Sequence, residues 1–364
     1  MLTLIFTYRN RDLERLKRSL DSLCIQTDSD FEAYLIDYGS EREIAEKVKD
    51  FSKSYKFLTY KYHPCFLQPW NKSRAINSVV KDLNSEFCFV ADIDMIFHPR
   101  FIESAKKLQY LNKTVYFQVG FLNPKQSFDG FNFQDFKKYR KSTQEATGLS
   151  MFPVSVLKEL NGFDEFYHFW GAEDSDMHVR IRNAGYEVEF YDQEILMLHQ
   201  WHESYRSQNV CHLDNLLQIS GIVRINLMHY RYAKREKKTK VNGKNWGKCI
   251  TEEEFEQLEK SEVDLKLTTK KEDVDHLLYG ILPVALDKIL KFQVIEQRQK
   301  VFSGIKLKQV LKRGGLKAEF YTLKEVNDKL LLHLISFYRE NPYNYKIKKK
   351  TNCIEVAIKL MNKS

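Results

Sequence analysis

The sequence predicts an α/β fold, a mainly parallel, doubly wound sheet flanked by helices, with a mostly helical C-terminal extension. Three observations predict it. Short apolar, β-branched runs alternate with segments of helical leucine spacing through residues 2–91, the pattern of strands joined by crossover helices. Polar signatures follow three of those runs, at 8–11, 37–40 and 92–94, where open parallel sheets bind their ligands. Beyond about residue 235 the texture changes to Lys- and Glu-rich helical patterns.

Residues 2–7, LTLIFT, form a strand buried in a sheet. Leu13, Leu16, Leu20 and Leu23 recur at helical spacing, and FEAYLID at 31–37 returns to a strand that Gly39-Ser40 ends. The unit repeats with a helix near 43–51, a strand near 57–62, a helix near 72–83 and a strong strand at 87–91. A helix follows Phe101, then a strand at 115–119 and an aromatic, Gly-containing stretch at 121–139. Next come a helix at 154–160, a loop through 162–171, a helix at 173–183 closed by Gly185, and strands at 187–191 and 195–198 that lead to His199 and His202. Later, Thr322 and Glu325 form a capping box before an apolar helix ending near Asn341-Pro342. The segment 277–292, LLYGILPVALDKILKF, suits a packed core helix or an interface helix. The chain thus divides into a first domain over 1–235 and a basic, mainly helical region of open role over 236–364.

With 364 residues there is room for two domains, and 43% hydrophobic with 13% aromatic residues excludes a disordered chain. The balance of 58 Lys and Arg against 49 Asp and Glu leaves +9, clustered at 234–240 and 346–350. That suits a phosphate-bearing ligand, an acidic polymer, nucleic acid, an anionic membrane face or a merely solvated surface. The six cysteines show no C-x-x-C and no short spacing, so they are expected as reduced thiols of a cytosolic protein. Arg9 interrupts the N-terminal apolar run before a signal-peptide core is reached, and no apolar run approaches the roughly 18 residues of a membrane span. A membrane would be met only from its surface.

Three constellations carry chemistry. Asp92-Ile93-Asp94 follows the strand FCFVA, and while the backbone stays extended its two carboxylates share a face and can share one hard cation. Such a pair also occurs in solvated loops, so its position at a strand end matters. His199 and His202 in MLHQWH, three apart after a strand, can add nitrogen ligands, a mixed shell that suits Mn²⁺ better than Mg²⁺. Trp170-Gly171-Ala172-Glu173-Asp174-Ser175-Asp176 opens a helix with acids that complement its dipole, and Asp176 is spaced to pair with Arg180. A Trp and Gly directly ahead of these acids add a flat platform of the kind on which sugar rings stack.

The layout LTLIFTYRNR, LIDYGS, NKSRAIN and ADID with a following Pro resembles glycosyltransferase family 2. NGFDEFYHFWGAEDSDMHVRIRNAG resembles the acceptor-side motif of the family 7 β-1,4-galactosyltransferases and bacterial chondroitin-type polymerases, whose pattern is W-G-G-E-D-D-D. The resemblance covers about 1–205 and implies the GT-A fold, Rossmann-like, with a donor half over about 1–110 and an acceptor half over about 111–235. It implies that Thr7, Tyr8, Arg9 and Asp37 hold the nucleotide, that Arg74 and Asn77 lie beside the donor, and that Asp92, Ile93 and Asp94 face ribose and metal. Asp94 would be the main metal ligand, with Asp92 and His199 or His202 completing the shell. Trp170, Gly171, Glu173 and Asp174 would bind the acceptor, Asp174 as general base. Tyr38 stands where the family has a second Asp, Ser175 replaces an Asp, and Ala172 replaces a Gly.

The implied activity is inverting transfer from a UDP-sugar, with Gal, GalNAc or GlcNAc favoured, to a glycan hydroxyl in bacterial surface polysaccharide synthesis. Mn²⁺ or Mg²⁺ would assist, and nucleic acid is not expected as a partner. The location implied is cytoplasmic, with the basic C-terminal region free to meet the inner membrane face or another subunit. A nucleotidyltransferase acting on sugar phosphates is the alternative enzyme, although residues 8–11 lack the glycines that cradle a triphosphate. A non-catalytic glycan-binding protein is the other alternative.

Overall fold

The computed structural model describes residues 1–124, 133–137, 139–202, 217–297 and 318–361. The chain divides into two compact units, one of residues 1–208 and 221–249, the other of 209–220 and 250–364.

In the first unit the elements run β1 (Leu2–Tyr8), α1 (Leu13–Cys24), β2 (Phe31–Tyr38), α2 (Arg42–Ser52), β3 (Leu58–His63), α3 (Lys72–Val80), β4 (Phe87–Ala91), β5 (Met95–Phe97) and α4 (Phe101–Lys106). They continue with β6 (Lys113–Phe117), β7 (Gly120–Phe121), β8 (Arg140–Lys141), β9 (Ser150–Pro153), α5 (Val154–Glu159), α6 (Glu173–Asn183), β10 (Glu187–Tyr191), β11 (Met197–His199) and α7 (Ile222–Arg235). A seven-stranded sheet has the order β10-β6-β9-β4-β1-β2-β3, parallel except for β9. Every residue of β1 and β4 is buried, which is why both are unbroken apolar runs and not alternating ones. Because β2 and β3 extend the sheet on one side of β1 and β4 lies on the other, the β1–β4 seam is a topological switch point. The site forms beyond its carboxyl end.

A second, four-stranded sheet, β5-β11-β7-β8, stands at that end. Strand β11 runs antiparallel to β5 with His199 opposite Met95. Helix α3 differs from the surface helices: all of residues 73–80 are buried, so its polar side chains must find partners inside. The aromatic stretch 121–139 lies partly outside the described residues.

The second unit corrects the expectation of a mainly helical region. Its elements are α8 (Glu252–Lys260), β12 (Leu265–Thr268), α9 (Lys271–His276), β13 (Lys288–Ile295), α10 (Leu323–Phe337), β14 (Tyr343–Lys348) and β15 (Cys353–Leu360). The strands pair as one sheet, β12-β13-β15-β14. Residues 277–292 are not one helix: α9 runs on through a π-turn at Leu277–Ile281, Pro283 cannot continue it, and Asp287 at φ 50° turns the chain into β13. The capping box is present, with Thr322 Oγ1 accepting from Glu325 N at 3.2 Å and Glu325 Oε2 from Thr322 N at 2.7 Å. The basic cluster 346–350 is partly neutralised, since Lys346 pairs with Glu259 and Lys348 with Glu355.

Candidate active site

The chain leaves β4 at Ala91 and turns through residues 92–94 before β5 begins. The extended geometry that would put both carboxylates on one face is therefore lost, and the two separate. Asp94 points inward, its side chain 12% exposed, with Oδ2 3.3 Å from His202 Nε2 and Oδ1 3.7 Å from His199 Nε2. Asp92 is 43% exposed and its Oδ1 lies 3.3 Å from Lys72 Nζ. The backbone makes the first grouping: Gln200 N donates to Asp94 O at 3.0 Å, and the β5–β11 register sets His199 beside the residue after Asp94.

Among the described residues, Asp94, His199 and His202 form the cluster able to hold a metal, each offering a ligand atom within 4.8 Å of the others. Asp92, expected as a ligand, is not part of it. Asp94 Oδ1 is buried and accepts no hydrogen bond from the described residues, a lone pair that a cation would satisfy. Burial pushes the Asp94 carboxyl up, but His202 and His199 outweigh it and hold the group below its ordinary range. One carboxylate and two imidazoles fit a divalent metal ion.

On the other side of the site, Glu173 and Asp174 stand in the first turn of α6. Their shared partner is Lys72, whose Nζ lies 3.7 Å from Glu173 Oε1 and 3.4 Å from Asp174 Oδ2. Burial works against the ammonium, yet Asp174, Asp92 and Glu173 together keep its pKa well above normal. Asp174 is pushed up to about 7, by burial first, with Glu173 and Asp92 adding to the rise and Lys72 opposing it. A Cβ at Gly148 would lie 3.2 Å from Asp174 Oδ2 and 3.9 Å from Asp92 Oδ2, so this glycine lets both carboxylates close on one point.

Lys72 was not singled out from the sequence. A signal existed, because a cation at the first position of a helix opposes the macrodipole and needs a reason. The other acid of the motif, Asp176, is structural: it is fully buried, 2.7 Å from Arg180 Nε, and accepts from Tyr167 Oη at 3.1 Å.

The loop before α6 carries left-handed backbone at Phe169 (φ 63°), Gly171 (φ 108°) and Ala172 (φ 72°). Replacement of Gly by Ala at 172 is therefore strained, since an L side chain there costs about 1–2 kcal/mol. Trp170 is 41% exposed at the loop's crest.

Several expected donor contacts are committed elsewhere. Arg74 Nε donates to Glu165 Oε2 at 2.8 Å, and Asn77 Nδ2 donates to Phe163 O and Glu165 Oε1 at 2.8 and 3.0 Å. Both are buried because α3 is packed on all sides, and their work is to hold the loop 163–165. Asp37 is fully buried, accepting from Ser40 N and Tyr60 Oη at 2.8 Å each, and burial raises its pKa. Thr7 and Tyr8 are buried at the end of β1, and Arg9 donates to Phe66 O and Gln68 O. Ile93 is packed in the core.

Residues 3–160 match the sequence profile of glycosyl transferase family 2, and residues 130–203 match that of the N-terminal domain of galactosyltransferase. Residues 3–203 thus carry the sequence of a glycosyltransferase domain. The matches favour the glycosyltransferase reading over the nucleotidyltransferase one, and the large sheet flanked by helices is the GT-A fold that the motifs imply. Among solved structures, the glycosyltransferase is similar to S. aureus TarS 1–349 in complex with UDP-GlcNAc, at 14% identity and TM-score 0.43, over 57% of this chain and 61% of that one. It is similar to GalNAc-T7 with UDP, GalNAc and Mn2+, at 14% identity and TM-score 0.49, over 65% and 50%. A third is mannosyltransferase PcManGT from Pyrobaculum calidifontis with GDP-Man and Mn2+, at 18% identity and TM-score 0.39, over 57% and 58%. The glycosyltransferase spans 60% of the TarS 1–349 chain crystallised with UDP. These are likenesses of fold, and the profile matches carry the assignment.

Proposed function

We propose that this glycosyltransferase moves a sugar from a UDP-sugar to a hydroxyl of a glycan acceptor, with inversion at the anomeric carbon. The observation that carries the proposal is the meeting at Lys72 of Asp92, from the end of β4, with Glu173 and Asp174, from the start of α6. Donor-side and acceptor-side motifs far apart in sequence thereby converge.

Asp174 takes the proton of the acceptor hydroxyl, whose oxygen forms the new bond to the anomeric carbon while the bond to the diphosphate breaks and its electron pair leaves with UDP. A carboxylate of pKa about 7 suits this work, being a stronger base than an ordinary Asp yet substantially ionised at neutral pH. Glu173 accepts hydrogen bonds from acceptor hydroxyls, and Trp170 offers its ring to a sugar face. Asp94, His199 and His202 would hold Mn²⁺ or Mg²⁺, which when bound neutralises charge on the departing diphosphate. Lys72 adds a fixed cation beside the same charge.

Gal, GalNAc or GlcNAc is favoured as the transferred sugar by the Trp170–Asp174 motif, and cytoplasmic synthesis of a bacterial surface polysaccharide is the proposed setting. The test is a panel of nucleotide sugars with and without Mn²⁺, read as thermal stabilisation and as release of UDP. Stabilisation by one UDP-sugar only with the metal is expected. Equal stabilisation by that sugar without metal would overturn the assigned role of the Asp94 cluster.

A further inference from the structure

Helix α7 has a face that the transfer reaction does not use. Its buried side is made by Ile222, Asn226 and Ala233, and it is fastened to the loop before α6. Asn226 Nδ2 donates to His168 O and Trp170 O at 3.0 and 3.1 Å, and His229 Nε2 lies 2.9 Å from Asp164 Oδ2 with its ring stacked on Phe166 at 4.0 Å. At 100° per residue the opposite half of the helix carries Val223, Leu227, Met228 and Tyr232 together with Arg224, Arg231, Lys234 and Arg235. All eight are exposed, with Met228 at 61% and Val223, Leu227 and Tyr232 at 41–44%. No acidic residue occurs within the helix, and Glu236 just beyond it is held by Arg235 at 2.8 Å.

We propose that this outward face of α7 docks the enzyme on an anionic lipid bilayer surface. The pattern of the face selects the occupant. An acidic polymer would pair with the arginines and lysine but would gain nothing from Val223, Leu227 and Met228, because aliphatic side chains neither stack on sugars nor bond to phosphates. A bilayer interface uses both: apolar side chains enter the acyl boundary while Arg and Lys reach back to anionic headgroups. Among the described residues no helix is long and apolar enough to cross a membrane, so binding through this face is peripheral. The site location also differs from the expectation that a basic cluster beyond residue 236 would do this work. Trp170, bonded through its carbonyl to Asn226 on the buried side, lies across α7 from the docked face.

The test is co-sedimentation of the full chain with vesicles of phosphatidylcholine alone and of phosphatidylcholine mixed equally with phosphatidylglycerol, without donor or metal. Binding to the anionic vesicles alone is expected, weakening as salt is raised. The double variant Leu227→Glu/Met228→Glu should lose about tenfold or more of that binding while keeping its melting temperature and its metal-dependent donor stabilisation. Leu227→Gln/Met228→Gln, which adds no charge, should lose part of it. Wild-type indifference to anionic vesicles, or unchanged binding in both double variants, overturns the proposal. So does a concentration-dependent dimer that these variants dissociate, or equal binding of wild type and variants to a soluble polyanion that displaces the vesicles. Because vesicle binding is read without donor, its failure is separate from failure of the proposed transfer reaction.

Discussion

Two acidic segments of the molecule share one spacing and divide their carboxylates in the same way. In 92–94 and in 174–176, the first Asp meets Lys72 and the second turns to a private partner. The private partners differ. Asp176 is closed off by Arg180 and Tyr167, a saturated buried pair, whereas Asp94 faces two imidazoles and keeps one oxygen without a hydrogen bond among the described residues. Spacing alone therefore assigns no role, and what the carboxylate faces decides whether it holds a helix or an ion.

The sharpest way to break this comparison is at Asp94. Asp94→Asn is expected to lower activity by about 10³-fold and to remove Mn²⁺-dependent thermal stabilisation, whereas Asp92→Asn should leave that stabilisation nearly intact. Equal loss of metal binding in both variants would restore the shared-cation arrangement that the turn at 92–94 argues against.

Next comes Asp174→Asn, expected to cost about 10²–10⁴-fold in transfer with donor binding little changed, measured as kcat against donor affinity. Wild-type kcat/KM should rise with pH and level off above about 7, since the protonated acid cannot accept the acceptor's proton. Stability runs the other way. A carboxyl whose folded pKa is raised contributes stability fully present below its unfolded pKa and lost as pH rises through about 7, so Asp174→Asn should melt higher than wild type at pH 8.

Asp176→Asn probes the closed pair. It leaves Arg180 buried without its anion and should cost about 3–5 kcal/mol in a denaturant titration, with metal response retained in the folded fraction. Lys72→Met should reduce kcat/KM about tenfold at neutral pH and move the ascending limb to higher pH, because the cation that lowers Asp174 is gone. Lys72→Arg should return part of both. The smallest effect is at the strained position: Ala172→Gly is expected to raise stability by about 0.5–1 kcal/mol, the relief of left-handed strain being partly offset by glycine's entropy.

Most of the first unit was legible because buried parallel strands leave unbroken apolar runs and α1 keeps a clean leucine stripe, with Leu16, Leu20 and Leu23 buried. His199 and His202 were legible as a pair following a strand. The turn after Ala91 was not, since nothing in ADID distinguishes two extended residues from a bend. The burial of Arg74 and Asn77 was not legible, because only packing shows that residues 73–80 of α3 are all buried. Lys72 was hidden in the same motif, its meaning set by acids about a hundred residues downstream. The C-terminal sheet escaped because KILKFQVI and CIEVAIKL carry enough Lys and Glu to pass for helix, and their pairing in β13 and β15 is a tertiary fact.

The buried lattice around Glu165 has a consequence for engineering. Asn71, Arg74 and Asn77 of the α3 segment hold residues 163–168, Gly247 N donates to Glu165 Oε1 at 2.6 Å, and a Cβ at Gly162 would lie 2.2 Å from Asn77 Oδ1. The loop proposed to bind the acceptor is thus no detachable cassette. A chimaera that transplants residues 162–176 from a relative to change acceptor choice must import Asn71, Arg74, Asn77 and the turn at Gly247 with it, or the graft will arrive without its anchor.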